Sequence, residues 1–193
     1  KLLERYAKDG RLTTSNEIQP LNDLLVRWKE SYLGWNSNES GGENTMSPQQ
    51  LLQKLDIWKS TSQFVRPDGQ SYAIVLEAAA KHASSVARKG VPIQANRNRD
   101  LLHHQDNLQL ADGLLDWLVN ESQIDYKLQP TTKSFIHVMD AWAQQPELQL
   151  QRQQHQKDDS TLLDPPSVIQ GWIDRMTKLY EEGWPDLEPN VVV

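Results

Sequence analysis

One short segment has residue types and spacing that suggest a metal site, because His103, His104 and Asp106 follow one another closely there. Histidine nitrogens and carboxylate oxygens are ligands that zinc takes in proteins. Adjacent histidines, however, do not share a helix face, and no distant set of ligands accompanies them. We therefore expect these side chains to be solvated loop residues, and we predict no metal and no other cofactor.

Two pairs of neighbouring acids, Asp158–Asp159 and Glu181–Glu182, have the residue types that general acid and base catalysis uses. Their adjacency is more typical of a solvated charged face. The sequence contains no cysteine, and it has no glycine-rich phosphate loop and no nucleophile motif. We predict that the chain is not an enzyme and has no small-molecule substrate.

Seven tryptophans offer a third kind of chemistry, because aromatic faces can stack on unpaired bases. Four of them fall on apolar helical stripes and are expected in the core: Trp28, Trp58, Trp142 and Trp172. Trp35 and Trp184 fall in predicted loops or at predicted helix ends. We expect only these last two to be exposed platforms for stacking.

The charge balance argues against a protein that is held to nucleic acid by charge alone. Lys and Arg number 20 and Asp and Glu number 26, so the net charge is -6. Hydrophobic residues make up 37% and the mean hydropathy is -0.69, which suits an elongated array better than one compact ball. No apolar run approaches the ~20 residues of a membrane span. We predict neither a DNA partner nor a membrane partner.

The element that organises the chain is an amphipathic helix in the segment from 129 to 145. Pro130 and Thr131 mark its start, since a hydroxyl-bearing residue suits a helix N-cap. Its apolar residues recur at i, i+3, i+4 and i+7, which is one face of a helix: Phe135, Val138, Met139 and Trp142. The same pattern occurs twice upstream, and the equivalent residues Leu21, Tyr72 and Phe135 lie 51 and 63 positions apart. Repetition on this scale predicts a solenoid.

Each of these helices is followed by an irregular insertion and then by a second amphipathic helix. The second helices are expected to start at Ser47–Gln50, which has the residues of a capping box, near Asn107, and at Pro165. The helix after Asp68 is expected to run as far as Lys89, and the residues from 90 to 106 are expected to be irregular. The last second helix should stop at Gly183. Each repeat is thus predicted to be a helical hairpin whose apolar face the next hairpin covers.

We accordingly predict an all-α fold, a right-handed α-α superhelix of hairpin repeats. Its units are 18–68, 69–131 and 132–190, with 1–17 as the tail of a preceding repeat and 191–193 as the start of another. The first residue is Lys and the last residues begin a repeat, so both ends are interpreted as cuts in a longer chain.

Four segments resemble pentatricopeptide repeats: QPTTKSFIHVMDAWAQ, RPDGQSYAIVLEAAAK, ADGLLDWLVNES and IDRMTKLYEEGWPDLEPNVV. In that family the first helix follows a Pro-Asp or Pro-Asn pair, and the second reads like an Ala-Glu, Leu-Leu, Met pattern. The units here are 51, 63 and 59 residues long, so they carry insertions of about 16, 28 and 24 residues over a family repeat of about 35. Tetratricopeptide repeats match less well, because their Trp, Leu-Gly and Tyr pattern is missing.

The resemblance implies single-stranded RNA recognition in a mitochondrion or chloroplast, with one base read by the fifth and last residues of each repeat. In the first unit these are Asn22 and Asp68, a pair that the family associates with uracil. The second unit has Ala73 with Thr131. The third unit has Ile136 with Asn190. Ala and Ile cannot hydrogen-bond a base, so at most one complete pair is present.

The second residues of the units, Gln70 and Lys133, are further candidates for contact with a base or phosphate. Helix capping alone would also explain Asp68, Thr131 and Asn190, since all three have N-cap residue types. The alternative function is a protein-interaction scaffold of the same architecture. A basic surface along the first helices would favour RNA, and a neutral or apolar one would favour a partner protein.

Overall fold

The computed structural model describes residues 18–35, 46–62, 65–89, 97–145, 165–184 and 187. These ranges contain helices joined by loops and no strand, which confirms the prediction of an all-α fold. The α-helices described are α1 (Ile18–Trp35), α2 (Pro48–Thr61), α3 (Gly69–Lys89), α4 (Arg97–Glu121), α5 (Thr132–Ala143) and α6 (Pro165–Glu181). A short 3-10 helix, Tyr126–Leu128, precedes α5.

Local sequence signals set the ends of two of these helices. At the start of α2, the Ser47 hydroxyl accepts from the Gln50 amide at 3.2 Å, and the Gln50 side chain accepts from the Ser47 amide at 3.1 Å. The predicted capping box is therefore confirmed. At the end of α6, Gly183 has a φ of 96°, and the Trp184 amide donates to the Leu179 carbonyl at 3.1 Å. This is a Schellman ending, in which glycine takes the left-handed position.

Helix α3 lies at the centre of the packing. It contacts α1, α2, α4 and α5, while α5 also contacts α4 and α6. We call α1, α3 and α5 the first helices and α2, α4 and α6 the second helices. The first helices therefore pack on one another in chain order, α1 on α3 and α3 on α5.

The apolar faces of the first helices meet in one core. The repeat-equivalent residues Leu21, Tyr72 and Phe135 are each at most 1% exposed and belong to the same hydrophobic cluster. On α3 the small residues Ala78, Ala79, Ala80 and Ala83 are all fully buried. Small side chains there let the neighbouring helices approach closely, and the prediction that α3 runs to Lys89 is confirmed.

The turn before α5 closes against the start of α3. A Cβ atom on Gly69 would lie 2.7 Å from the Lys127 carbonyl oxygen, closer than real contacts allow. Only glycine therefore fits at this position without movement of the backbone. This close approach packs the 3-10 helix against the first turn of α3.

The predicted start of α4 is wrong. The helix begins at Arg97, ten residues before the expected Asn107, so 97–106 is helical rather than irregular. Polar and charged residues dominate this segment, and a helix without an apolar stripe leaves no periodic signal in the sequence. His103 and His104 thus belong to a helix, and Asp106 is exposed.

The tryptophans mostly follow their predicted places. Trp28, Trp142 and Trp172 are at most 8% exposed, and Trp58 is half-buried against the core. The prediction that Trp184 is an exposed platform is wrong, because this residue is half-buried and packs against the hydrophobic core. The Schellman turn places Trp184 directly after α6, where its amide donates to the Leu179 carbonyl. The side chain of Trp35 lies outside the described residues.

Candidate functional site

Asn22 and Asp68, the predicted base-reading pair, lie against each other. The Asn22 amide nitrogen donates to Asp68 Oδ1 at 3.4 Å, although the two residues are 46 positions apart. Ser71 completes the cluster, since its hydroxyl lies 2.7 Å from Asn22 Oδ1 and 3.0 Å from Asp68 Oδ1 and can donate to either. The packing of α1 on α3 brings the three residues together.

This cluster also caps α3. Asp68 Oδ1 accepts from the Ser71 amide at 2.9 Å, and the Ser71 hydroxyl accepts from the Asp68 amide at 3.2 Å. The capping role predicted for Asp68 is therefore confirmed. Asn22 is 6% exposed, so its side chain faces the junction of two helices rather than solvent. Sequence reasoning missed this burial because the partner that satisfies Asn22 lies 49 residues away.

The junction of α3 with α5 has residues at the equivalent positions, but they do not form the same hydrogen bonds. Ser134 corresponds to Ser71 and is 2% exposed, and its hydroxyl lies 3.5 Å from that of Thr131. Thr131 is the N-cap residue of α5, yet its side chain accepts no capping hydrogen bond from the α5 amides. The capping hydrogen bond that its residue type suggested is thus absent. Ala73 stands where Asn22 stands in the first unit and has no polar side-chain atom to close the cluster.

The remaining predicted contact residues are at the surface or outside the described residues. Gln70 and Lys133 are both exposed, on the first turns of α3 and α5. Ile136, the fifth residue of the third unit, is 43% exposed. Asn190 lies outside the described residues. The structure therefore brings one predicted pair together and leaves Gln70 and Lys133 separate from it in solvent.

A line of charged side chains crosses the three first helices. Glu77 on α3 accepts from Lys29 of α1 at 2.7 Å and from Lys81 of its own helix at 2.6 Å. His137 of α5 places Nε2 4.0 Å from the same carboxylate. We call these four residues the charge ladder. Both lysines share one carboxylate, which is itself only 19% exposed and offsets one of their two positive charges.

The surroundings of the ladder shift the pKa of two of its groups. Burial disfavours the charged form of Glu77, but the hydrogen bonds and charges of Lys29 and Lys81 outweigh it and hold the pKa of Glu77 below its ordinary value of 4.5. Burial lowers the pKa of His137 below 6.5, and the charge of Glu77 only partly opposes this effect. Near neutral pH these two shifts favour an ionised Glu77 and a neutral His137.

The side chains described within the first helices include as many bases as acids, while the side chains of Arg88 and Lys89, at the end of α3, lie outside the described residues. Four are basic, namely Arg27, Lys29, Lys81 and Lys133, and four are acidic, namely Asp23, Glu30, Glu77 and Asp140. An RNA backbone presents a phosphate at every nucleotide and is attracted by an excess of unpaired Lys and Arg. The described part of this surface has no such excess.

A second polar cluster, which the sequence analysis did not single out, joins α4, α5 and α6. Asp112 Oδ1 accepts the indole N–H of Trp142 at 3.1 Å and that of Trp172 at 2.7 Å. Arg175 binds Asp116 and Asn120, which lie one and two helical turns beyond Asp112 on α4. Its Cζ atom is 5.5 Å from the centre of the Trp172 ring. The available signal was the indole N–H itself, since a buried tryptophan normally requires an acceptor.

Within the described ranges, no group of three or more His, Asp or Glu side chains is arranged to hold a metal ion. None of the helices described is both long enough and apolar enough to cross a membrane. Comparison of the chain with protein-family models, curated proteins and solved structures finds no match. The resemblance to pentatricopeptide repeats therefore rests on the residues quoted above.

Proposed function

We propose that the chain is a binding module built as a right-handed solenoid of helical hairpins, and that it binds an extended segment of a partner protein across its first helices. The observation that carries the proposal is the charge ladder. A partner polypeptide can complement a surface of alternating charges, whereas a phosphate backbone requires free cations.

The side chains around the charge ladder also favour a partner protein as the ligand. On α5 the residues Lys133, Ile136, His137 and Asp140 follow helical spacing and so share one face. Ile136 adds an exposed apolar group between charged neighbours. Apolar anchors surrounded by polar groups are typical of protein interfaces.

A matched pair of variants tests the proposal. Ile136 and Ile57 are both exposed isoleucines, at 43% and 57%, but Ile136 lies on a first helix and Ile57 lies on α2, a second helix. Peptides are selected from a random display library on the wild-type protein, and their affinities are measured by calorimetry. We expect Ile136→Glu to weaken the selected peptides about tenfold, as loss of an apolar anchor does. We expect Ile57→Glu to leave their affinities unchanged.

The opposite pattern would refute this location of the binding surface. Peptides that lose affinity with Ile57→Glu and keep it with Ile136→Glu would place the interface on the second helices. A library that yields no specific peptide would count against protein binding altogether.

Single-stranded RNA binding in a mitochondrion or chloroplast is the second candidate, and the contact between Asn22 and Asp68 favours it. The two residues that the family resemblance pairs for base reading lie 3.4 Å apart at a helix junction. Among the described residues, Asp68 Oδ2 accepts no hydrogen bond, so one acceptor remains for a base edge.

Ser71→Ala is the control that separates base reading from capping. Both Asn22→Ala and Ser71→Ala remove a hydrogen bond of the same buried cluster, but only Asn22 holds a base-reading position. If RNA is the ligand, a uridine-containing single strand should be retained by Ser71→Ala and lost by Asn22→Ala in an electrophoretic shift assay. Equal loss in both variants would assign the cluster to stability alone.

A further inference from the structure

A pocket of about 480 Å³ opens between α2, α3 and α4. Its volume falls within the range of about 300–1,000 Å³ that small ligands occupy. It involves two second helices and therefore differs from the charge ladder on the first helices. The binding function proposed above makes no use of it.

Most of the pocket lining is apolar and partly open. Leu52, Leu110 and Trp117 are each half-buried although they pack on the core. The Trp117 and Tyr72 rings form one wall, with centroids 4.9 Å apart and planes inclined by 60°. A ligand that covers such partly exposed apolar side chains removes apolar surface from water, and this burial favours binding.

One acidic group lies in this apolar setting. Asp56 is exposed in the pocket lining and accepts from the Tyr72 hydroxyl at 3.4 Å. No basic residue lines the pocket, and no described Lys or Arg forms an ion pair with Asp56. A carboxylate beside aromatic rings favours a positively charged ligand, because the ring faces also attract cations.

We propose that this pocket binds an organic cation, an alkylammonium or guanidinium group carried on an apolar body. The apolar body covers the leucines and the aromatic wall, and the cation lies between Asp56 and the Trp117 ring. A free amine and a lysine or arginine side chain of another chain share this chemistry. None of the residues that line the pocket belongs to the charge ladder, so this proposal is independent of the function proposed for the first helices.

The first test compares a charged probe with its neutral analogue. Phenethylammonium and phenethyl alcohol are titrated by calorimetry, with N-acetyl-argininamide as the side-chain probe. We expect each cation to bind at least about fivefold more tightly than the alcohol. Whichever cation binds more tightly identifies the source. Asp56→Asn keeps the shape of the side chain and should remove the preference for the cation.

The second test blocks the pocket and leaves the fold intact. Gly113 lines the pocket, and an added Cβ there would meet nothing within 4 Å, so Gly113→Leu places a side chain into open space. Gly171 is also an exposed helical glycine with nothing within 4 Å, but it does not line the pocket. We expect Gly113→Leu to abolish binding of phenethylammonium and Gly171→Leu to leave it unchanged.

Three results would overturn the proposal. One is the absence of binding by either cation at millimolar concentration. Another is equal binding of cation and alcohol with no effect of Asp56→Asn. The third is wild-type affinity in Gly113→Leu, because a ligand that tolerates that side chain does not occupy the pocket.

Discussion

Asp112 of α4 links the last two described helices, α5 and α6, through their tryptophans. One of its carboxylate oxygens accepts both the Trp142 and the Trp172 indole N–H, and those rings are only 8% and 7% exposed. Neither indole can turn to solvent without leaving the core. A single half-buried acid therefore fixes the orientation of two aromatic rings on two helices.

Replacing this acid should destabilise the protein markedly. Asp112→Ala leaves two buried donors without an acceptor, and we expect a loss of about 2–4 kcal/mol in the free energy of unfolding. Asp174→Ala is the control, because Asp174 is exposed and, among the described residues, its side chain accepts a hydrogen bond from Gln170 alone. It should change stability by about 0.5 kcal/mol or less. Urea unfolding measures both, and equal losses in the two variants would contradict the role of Asp112.

Asn22 shows what the sequence could and could not predict about the candidate site. The resemblance to pentatricopeptide repeats singled out Asn22 and Asp68 as a base-reading pair, and the two side chains are in contact. The burial of Asn22 could not be predicted, because the third member of the cluster, Ser71, has no special signature among helical serines. Hydrogen-bond partners on another helix depend on how the helices pack, and helical spacing does not specify this packing.

At the scale of elements, the sequence could predict those helix ends that are determined by residues next to them in the chain. The start of α2 and the end of α6 depend on Ser47, Gln50 and Gly183, which act on the adjacent backbone. The early start of α4 could not be predicted in this way. Its first ten residues follow no apolar stripe, so the pattern that located the other helices is missing there.

The contact between the turn before α5 and the start of α3 gives a test at this scale. Gly69→Ala would place its Cβ 2.7 Å from a backbone carbonyl oxygen, and we expect it to lower the free energy of unfolding by about 1–3 kcal/mol. Gly171→Ala has open space around its Cβ and should raise stability by up to about 1 kcal/mol, because alanine favours the helix. Thermal unfolding of both variants checks the difference in sign. A stabilising Gly69→Ala would show that the close approach is absent.

The charge ladder should make stability depend on pH. The pKa of His137 is lowered in the folded protein, so the unfolded chain binds a proton first and stability falls as the pH drops below 6.5. The pKa of Glu77 is also lowered, so its contribution is present above pH 4.5 and is lost as the pH falls from there through the lowered folded value.

Two substitutions separate these contributions. His137→Gln should flatten the loss of stability just below pH 6.5, and Glu77→Gln should flatten the loss below pH 4.5. Urea unfolding across this pH range measures both effects. Curves for the two variants that run parallel to the wild-type curve would show that neither group titrates differently in the folded protein.

At the scale of the whole molecule, the all-α architecture could be predicted from repetition, and the burial of Leu21, Tyr72 and Phe135 in one core follows the same repeat. The electrostatic character of the first helices could not be predicted from net charge. It depends on which lysines face which acids across hairpins, and Glu77 reaches Lys29 only because α1 packs on α3.

RNA binding by the wild-type protein is the most direct test of the claim that the first helices bind a partner protein and not RNA. The measurement is fluorescence anisotropy of a labelled uridine-rich single strand, titrated with wild-type protein and with Glu77→Gln at low salt. We predict no change in anisotropy with the wild type. We predict weak, salt-sensitive binding by Glu77→Gln, because that variant removes the carboxylate with which Lys29 and Lys81 pair. Tight binding by the wild type that weakens steeply with added salt would contradict the account.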